Sequence, residues 1–512
     1  MSSQAIAVGG SDAKAPEHWG LPLLVLVSGM FMSVLDTSII NVAVPTIQST
    51  FGAATDEVAW IVTAYALTLG VIVPLSAWLA DRFGSSRVYI VALLLFGAAS
   101  ALCGLAWNLE SLIAFRIIQA IPGGILPPLS MAMLYRIVPP HQIGRAMGMY
   151  GLGIVVAPAI GPTLGGYLVE YVDWRLIFFI NVPVGIVAAL AAISILPKFP
   201  ATGRPKFDIW GFITVATGLF SLLLALSEGE SWGWTSFPVV ALMCVSVVAL
   251  ALFVVIEMEV DQPLLNVRVF STWEYTNSLL IISVLSIGLF TVLFYIPVFL
   301  QTAQGIGAFE AGIVLLPQAL VMAISMPIAG RLYDRIGPRW PALIGLAIAS
   351  LGTWMLRDLD VNTTHTEVAL ILMLRALGMG MAMMPIMTGG LAALPPSIVP
   401  SGSAFNNVIQ RASASLGLAI LAAVLTTTSA QFLSDRGALV DSGTPMPRLG
   451  PGPSGDFNGM AMVYRQTSNQ VFVAAVDNLM LITTVVTMIG FVLALFLRSG
   501  PAKPSDHALA VD

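Results

Sequence analysis

Residues Leu21–Val44 read LPLLVLVSGMFMSVLDTSIINVAV, an apolar run of 24 residues with one charge, Asp36. About 20 helical residues cross a hydrocarbon layer of ~30 Å, so this run predicts a membrane-spanning helix. At roughly 1.5 Å per residue, Asp36 lies about 22 Å from Leu21, inside the membrane. A carboxylate there is costly and is by default a functional-site candidate. We interpret it as the proton-coupling group of a secondary transporter; the alternative is a structural Asp that caps or bonds a neighbouring helix.

The composition is that of a polytopic membrane protein. Of 512 residues, 57% are hydrophobic and 10% charged, and the mean hydropathy is +0.90. Soluble domains carry about 25% charged residues. Apolar runs of this length favour helices over barrel strands. The first run is too long for a signal-peptide core and lacks a basic n-region, so we expect it to be retained.

We count fourteen apolar spans along the chain. They lie near residues 21–45, 58–80, 88–107, 111–134, 145–169, 176–196, 208–227, 237–256, 275–300, 309–330, 341–357, 367–389, 404–428 and 478–497. An even number puts both termini on one side, and most of the 22 Lys and Arg residues fall on that side. The positive-inside rule therefore predicts cytoplasmic termini.

An internal repeat divides the chain. Ala77–Gly84 (AWLADRFG) recurs as Gly330–Gly337 (GRLYDRIG), displaced by 253 positions, and Arg116 and Arg375 lie 259 apart. Two six-span halves separated by an inserted pair explain both offsets, and repeated halves are typical of secondary transporters. The predicted parts are a tail 1–19, a six-helix bundle 20–197, a linker and inserted pair 198–270, a second six-helix bundle 271–498 with a long extracytoplasmic loop 430–477, and a tail 499–512.

The repeated turns are interpreted as a cytoplasmic gate. Its residues are Asp81, Arg82, Gly84, Asp334 and Arg335. An Asp at such a turn can cap a facing helix, and an Arg can pair with a carboxylate, which would lock the halves together. The alternative is an ordinary polar loop that ends a span.

The fifth span combines small residues with two prolines. These are Gly151, Pro158, Gly161, Pro162, Gly165 and Gly166. Missing side chains let another helix approach closely, and each proline removes a backbone donor and bends the helix. We interpret the span as a flexible seal of a cavity; tight packing alone is the alternative.

Three arginines fall within predicted spans, namely Arg116, Arg375 and Arg411. Arg116 should face the bundle interior, where it can pair with Asp36 and help it bind and release a proton, or serve as a fixed anchor. Arg411 is either a cavity group or a residue that snorkels to the membrane interface.

Signals of an enzyme are missing from the sequence. No Lys precedes Ser or Thr, so there is no Walker A loop, and neither HExxH nor GxSxG occurs. All four His residues fall in tails or loops, which argues against an intramembrane metal or haem site. We therefore expect no cofactor and energy from an ion gradient.

These motifs resemble the major facilitator superfamily, specifically its fourteen-helix drug:proton antiporters of the EmrB/QacA type. The likeness covers roughly residues 20–500. The motifs that carry it are Leu35–Pro45 (LDTSIINVAVP), Trp60–Tyr65 (WIVTAY), the Asp81 turn, Arg116–Gln119 (RIIQ), Gly151–Gly166 and Trp174–Gly185 (WRLIFFINVPVG). Ala77, Ser85, Ser86 and Ala120 depart from the usual residues. The resemblance implies a major facilitator fold, a proton on Asp36 with Arg116 in coupling, and exchange of drug against proton.

The leading functional hypothesis is a proton-driven exporter of hydrophobic or cationic small molecules in a bacterial inner membrane. Tentative cavity residues are Asn41, Tyr65, Tyr295, Met383, Met387, Asn407 and Arg411. The alternatives are a dedicated exporter of one endogenous metabolite or siderophore, and a channel or sensor. The loop 430–477 is a candidate contact for a periplasmic adaptor protein, although a tether is an alternative. No nucleic-acid partner is expected.

Overall fold

The computed structural model describes residues 19–201, 203, 205–438 and 453–500, with only the backbone of residues 159, 308, 309, 429, 430, 433–438 and 453–469. Within these ranges the chain is helical, with no β-strand. The helices are α1 Gly20–Phe51, α2 Thr55–Ile72, α3 Leu75–Phe83, α4 Ser85–Gly104, α5 Leu109–Ile137, α6 Ile143–Tyr171, α7 Leu176–Phe179, α8 Asn181–Ile195, α9 Ile209–Trp232, α10 Phe237–Glu259, α11 Trp273–Thr302, α12 Ala308–Ile336, α13 Arg339–Met355, α14 His365–Ala392, α15 Val399–Ala438 and α16 Pro453–Ala494. The predictions for the tails 1–18 and 501–512 lie outside the described residues.

Helix breaks follow from local chemistry. Pro74, which has no N–H to donate, separates α2 from α3. α3 and α12 end at Gly84 and Gly337, whose φ angles of 87° and 81° are readily reached only by glycine. Asn108 begins α5 by accepting a hydrogen bond from the Ser111 N–H at 2.9 Å.

Thirteen described helical segments are long and apolar enough to cross a membrane. One predicted span, 341–357, corresponds to α13, which has 17 residues and is shorter than all thirteen. The predicted span 176–196 is interrupted at Ile180, between α7 and α8, and is counted as one segment.

The predicted loop 430–477 is largely helical where the structure describes it. α15 continues to Ala438 and α16 begins at Pro453, so 34 residues expected in the loop, 430–438 and 453–477, belong to helices. At 40 and 42 residues these helices are about twice the length that a bilayer requires. Polar residues beyond the apolar run had suggested a loop, but helices can extend outside the membrane. The segment 439–452 lies outside the described residues.

The helices form two groups: an N-terminal group, α1–α8, and a C-terminal group, α11–α16. In the first, α1 packs on α5 and α6, and α4 packs on α5 and α8; in the second, α11 packs on α14, α15 and α16. α9 and α10 pack together, and α9 also contacts α2 and α15. Contacts between α6 and α12 and between α5 and α15 join the two groups.

Both ends of the described chain lie at one end of the bundle, which we call the terminal end. The Trp19 indole N–H donates to Gln142 at 2.7 Å, just before α6. Gly500 lies against Gly337 at the end of α12. Because the start of α6 and the end of α12 are themselves in contact, Trp19 and Gly500 share one side.

Candidate functional site

Asp36 lies in the middle of α1 with its side chain 1% exposed, inside the N-terminal group. Its Oδ2 forms an ion pair with Arg116 Nη1 of α5. Its Oδ1 accepts hydrogen bonds from Gln119 Nε2 at 2.9 Å and from Asn181 Nδ2 of α8 at 3.0 Å. All three partners are donors, which matches an ionised carboxylate.

Arg116 is completely buried and is held from several sides. Its Nη1 also donates to Gln119 Oε1 at 2.8 Å, so Gln119 joins the cation and the carboxylate. Its guanidinium carbon lies 3.7 Å from the ring centroid of Tyr65, a cation–π contact. Its Nη2 has no hydrogen-bond partner among the described residues. The ion pair considered from sequence is therefore present, while its role in coupling stays a prediction.

Asn181 and Ser100 fix the far side of the carboxylate. Asn181 Nδ2 donates to Ser100 Oγ at 3.1 Å, and Ser100 Oγ donates to the Phe178 carbonyl at 2.8 Å. Sequence reasoning assigned no site role to Gln119, Asn181 or Ser100. Gln119 could have been found, because three residues after Arg116 it shares a helix face with it.

The C-terminal group carries a related arginine without an acid. Arg375 is buried in α14, and its Nε donates to Thr353 Oγ1 at 3.1 Å. Thr353 lies 253 positions after Ser100, the displacement of the repeat. The other partner of Arg375 is the Gly288 carbonyl, one residue from the position that corresponds to Asp36. Of the two related sites, only the N-terminal one contains a titratable carboxylate.

The residues predicted as a gate lie at the terminal end. Asp334 accepts hydrogen bonds from the backbone N–H groups of Gly144, at 2.8 Å, and Arg145, at 2.9 Å. It therefore caps the start of α6 from the opposite group. Arg82 donates to the Pro205 carbonyl at 3.1 Å, in the linker before α9. Asp81 is half-buried and Arg335 exposed.

Other bonds between the groups lie on the same side. Tyr135 donates to the Thr388 carbonyl at 3.1 Å, near the ends of α5 and α14. Ser403, in the second turn of α15, donates to the Pro128 carbonyl at 2.8 Å. The side-chain hydrogen bonds that Tyr135, Ser403 and Asp334 form between residues 20–197 and 271–498 all lie on this side. The two groups are thus bonded toward the terminal end.

α6 lies between α1 and α12 and presents small residues to both. A Cβ on Gly148 would lie 2.6 Å from the Met326 carbonyl of α12. On the other face, a Cβ on Gly165 would lie 2.7 Å from Ile39 of α1. Such distances leave no room for a side chain, so both helices approach α6 closely. The other predicted small residues of α6 also face its neighbours: Gly151 lies against Met326 and Met384, Gly161 against Ser38, and Gly166 near Val42. Of the two prolines, Pro158 accepts a hydrogen bond from Ser38 Oγ at 3.3 Å through its carbonyl, and Pro162 is exposed.

The tentative cavity residues do not form one cluster. Met383 and Met387 are each 4% exposed in the large apolar core, and Tyr295 packs in a separate core near α16. Asn41 is exposed on α1. Asn407 and Arg411 are half-buried on α15, and the charge of Arg411 acts on Tyr65. Sequence could not separate these cases, because it does not show which face of a helix meets its neighbours.

The model of the Major Facilitator Superfamily matches residues 26–418. The chain belongs to this superfamily. A superfamily relative, the uncharacterized MFS-type transporter YhcA of Bacillus subtilis (strain 168), is 36% identical over 417 residues, which are 81% of this chain and 78% of the relative. The multidrug transporter protein MdtP of the same organism is 34% identical over 80% of this chain and 76% of the relative.

The solved structure of the proton:xylose symporter XylE has the same fold. It aligns with a TM-score of 0.60 and 13% identity, covering 94% of this chain and 96% of that chain. An identity this low shows the fold alone. Membership of the superfamily makes the protein an integral membrane transporter and not an enzyme, as the sequence predicted.

Proposed function

We propose that this transporter exports hydrophobic small molecules in exchange for protons, with Asp36 as the proton-binding group. The observation that carries the proposal is the buried Asp36–Arg116 ion pair in the middle of α1. Intramembrane acids are rare because they are costly, and they commonly mark ion pathways. The relation to MdtP, a multidrug transporter, supports small molecules as the cargo.

Protonation of Asp36 would change the forces within the N-terminal group. The Asp36 carboxylate accepts hydrogen bonds from Arg116, Gln119 and Asn181. A proton bound to one of its oxygens would displace at least one of these three donors. Arg116 would then lose its counter-ion in a site that water does not reach. Separating a buried pair costs about 3–5 kcal/mol, so a protonated site favours a rearrangement of α1 and α5.

A path of contacts leads from Asp36 to the junction of the two groups. Two residues after Asp36, Ser38 donates to the Pro158 carbonyl of α6. At the terminal end α6 in turn contacts α12, and Asp334 of α12 caps the start of α6. A shift of α1 can therefore change the contact between α6 and α12, which is the link that we propose between protonation and opening.

We further propose that the terminal end faces the cytoplasm and that α13 provides a fourteenth span, as in antiporters of the EmrB/QacA type. Its 17 residues extend about 25 Å, close to the thickness of a hydrocarbon core. On this assignment the structure is closed toward the cytoplasm. The gate role of Asp81, Arg82, Gly84, Asp334 and Arg335 belongs to the same proposal.

The test uses purified protein in liposomes that contain a pH-sensitive dye. Addition of substrate to the wild type should produce proton movement, and Asp36→Asn should abolish it. Counterflow, in which labelled substrate exchanges for unlabelled substrate without a gradient, should persist in Asp36→Asn. Asp358→Asn is the control, because that acid is 61% exposed and lies at the end of α13. Undiminished substrate-driven proton movement in Asp36→Asn would refute the assignment.

A further inference from the structure

Arg411 is a cation on the membrane-spanning part of α15 that has no acidic partner among the described residues. Its side chain is half-buried, and no described carboxylate lies within ion-pair distance. The described residues form no hydrogen bond with it. An arginine in such a place is costly unless something compensates its charge.

The position of Arg411 directs it toward the N-terminal group. Ser403, Asn407 and Arg411 follow at intervals of four residues, and so lie along one side of α15. Ser403 contacts the Pro128 carbonyl of α5, and Asn407 Nδ2 donates to the Ser403 carbonyl at 3.0 Å. Farther along the same side, Arg411 lies within electrostatic reach of Tyr65.

Tyr65 places this cation next to the proton-coupling cluster. One side of its ring is occupied by Arg116, and its hydroxyl has no hydrogen-bond partner among the described residues. Nearby on α15, Asn406 is 4% exposed, and its amide nitrogen and oxygen also lack partners in that part of the chain. Unpaired buried polar groups are unfavourable, so a ligand that supplied hydrogen-bond partners would be stabilised by them.

In the described part of the chain, no free carboxylate lies at this place to receive a cationic cargo. Asp36 is already bonded to Arg116, Gln119 and Asn181. A cationic ligand would therefore meet the like charge of Arg411 without compensation, whereas an anion would neutralise it. A planar guanidinium binds a carboxylate through two parallel hydrogen bonds, and the Tyr65 hydroxyl can donate another.

Resting on the proposed function above, we propose that Arg411 binds the anionic group of the cargo. The transported class is then amphipathic aromatic monoanions, such as carboxylates, and not cations. The same guanidinium could instead reach a lipid phosphate at the membrane interface, and the experiment separates these two sources of an anion.

The experiment compares three probes that share one ring system: 1-naphthoate, 1-naphthamide and 1-naphthylmethylammonium. Binding is measured with the full chain in nanodiscs of phosphatidylcholine and, separately, of phosphatidylglycerol. We expect the wild type to bind naphthoate at least tenfold more tightly than the ammonium compound in both lipids. Arg411→Gln should weaken naphthoate binding tenfold or more and change naphthamide binding less than twofold. Arg411→Lys should restore part of the affinity, and Arg331→Gln, an exposed cation of α12, is the control.

Three results would overturn the proposal. The first is binding of the ammonium compound as tight as that of naphthoate, or no naphthoate binding at all. The second is an equal loss of all three probes in Arg411→Gln, which indicates a structural role. The third is no change for any probe in Arg411→Gln, as expected if Arg411 binds lipid phosphate. Two results separate this inference from the proposed function. If the protein selects naphthoate but does not couple transport to protons, only the proposed function is refuted. If protons drive transport of the ammonium compound and Arg411→Gln does not affect it, only this inference is refuted.

Discussion

Replacing Asp334 with Ala should open the terminal end of the transporter. This side chain of α12 accepts two backbone hydrogen bonds from the first turn of α6, at 2.8 and 2.9 Å. A hydrogen bond to a charged group contributes about 1.5–3 kcal/mol. Because Asp334 is half-buried, we reduce the sum for solvent screening to about 2–4 kcal/mol. At ~1.4 kcal/mol per factor of ten, the closed arrangement should lose roughly 30- to 1,000-fold in relative population.

The shift can be measured as a distance between spin labels. Arg87 and Trp340 are suitable sites because both are exposed, both begin helices at the terminal end, and they are separated by the 253 positions of the repeat. The exposed Cys244 is first replaced by Ser so that it is not labelled. Electron–electron double resonance in nanodiscs should then show a longer distance between positions 87 and 340 in Asp334→Ala.

Two further variants make the measurement specific. Asp334→Asn keeps one carbonyl oxygen as an acceptor, so its shift should lie between those of the wild type and Asp334→Ala. Glu259→Ala removes an exposed acid at the terminal end and should leave the distance unchanged. A folded Asp334→Ala protein with the wild-type distance distribution would refute the view that this cap holds the two groups together.

Three other perturbations test neighbouring parts of the structure. Asn181→Ala removes a bond to Asp36 and should lower the free energy of unfolding by about 1–3 kcal/mol and alter the pH profile of counterflow; an unchanged melt and profile would contradict this. Gly148→Val places a side chain against the Met326 carbonyl and should lengthen the same label distance, whereas tolerance without a shift would show that α6 and α12 have room. Arg375→Gln should reduce thermal stability yet leave substrate-driven proton movement intact, because no described carboxylate pairs with Arg375; loss of coupling alone would contradict this reasoning.

The sequence was most informative where a charge interrupts an apolar run. Asp36 and Arg116 could each be singled out because a membrane helix tolerates few ionised groups, and their opposite charges made a pair one of the alternatives. Their contact could not be deduced, since 80 residues separate them. Asn181 could not be assigned a site role from sequence, because a single amide in an apolar run is common and carries no charge. Its role depends on how α8 packs beside α1, which is a tertiary fact.

A helix face and a helix end are harder to predict, because both depend on tertiary packing. The sequence predicts Met383 and Met387 as cavity residues, and the structure places both in the large apolar core. Methionine packs equally well in a core and along a binding surface, so composition alone does not decide. The ends of α15 and α16 were missed for a related reason: hydropathy locates the part of a helix within lipid and not where its hydrogen bonding stops.

The charge of the cargo determines how much the membrane potential can contribute to export. One proton entering for one monocation leaving moves no net charge, whereas one proton entering for one monoanion leaving moves two. At about 2.3 kcal/mol per charge per 100 mV, the second exchange gains about 4.6 kcal/mol from an inside-negative potential of that size, enough for a gradient of roughly a thousandfold. If Arg411 selects anions, transport should accelerate when valinomycin and potassium impose such a potential without a pH gradient. A rate that is indifferent to voltage would mean that the cargo carries the opposite charge, and that Arg411 has another purpose.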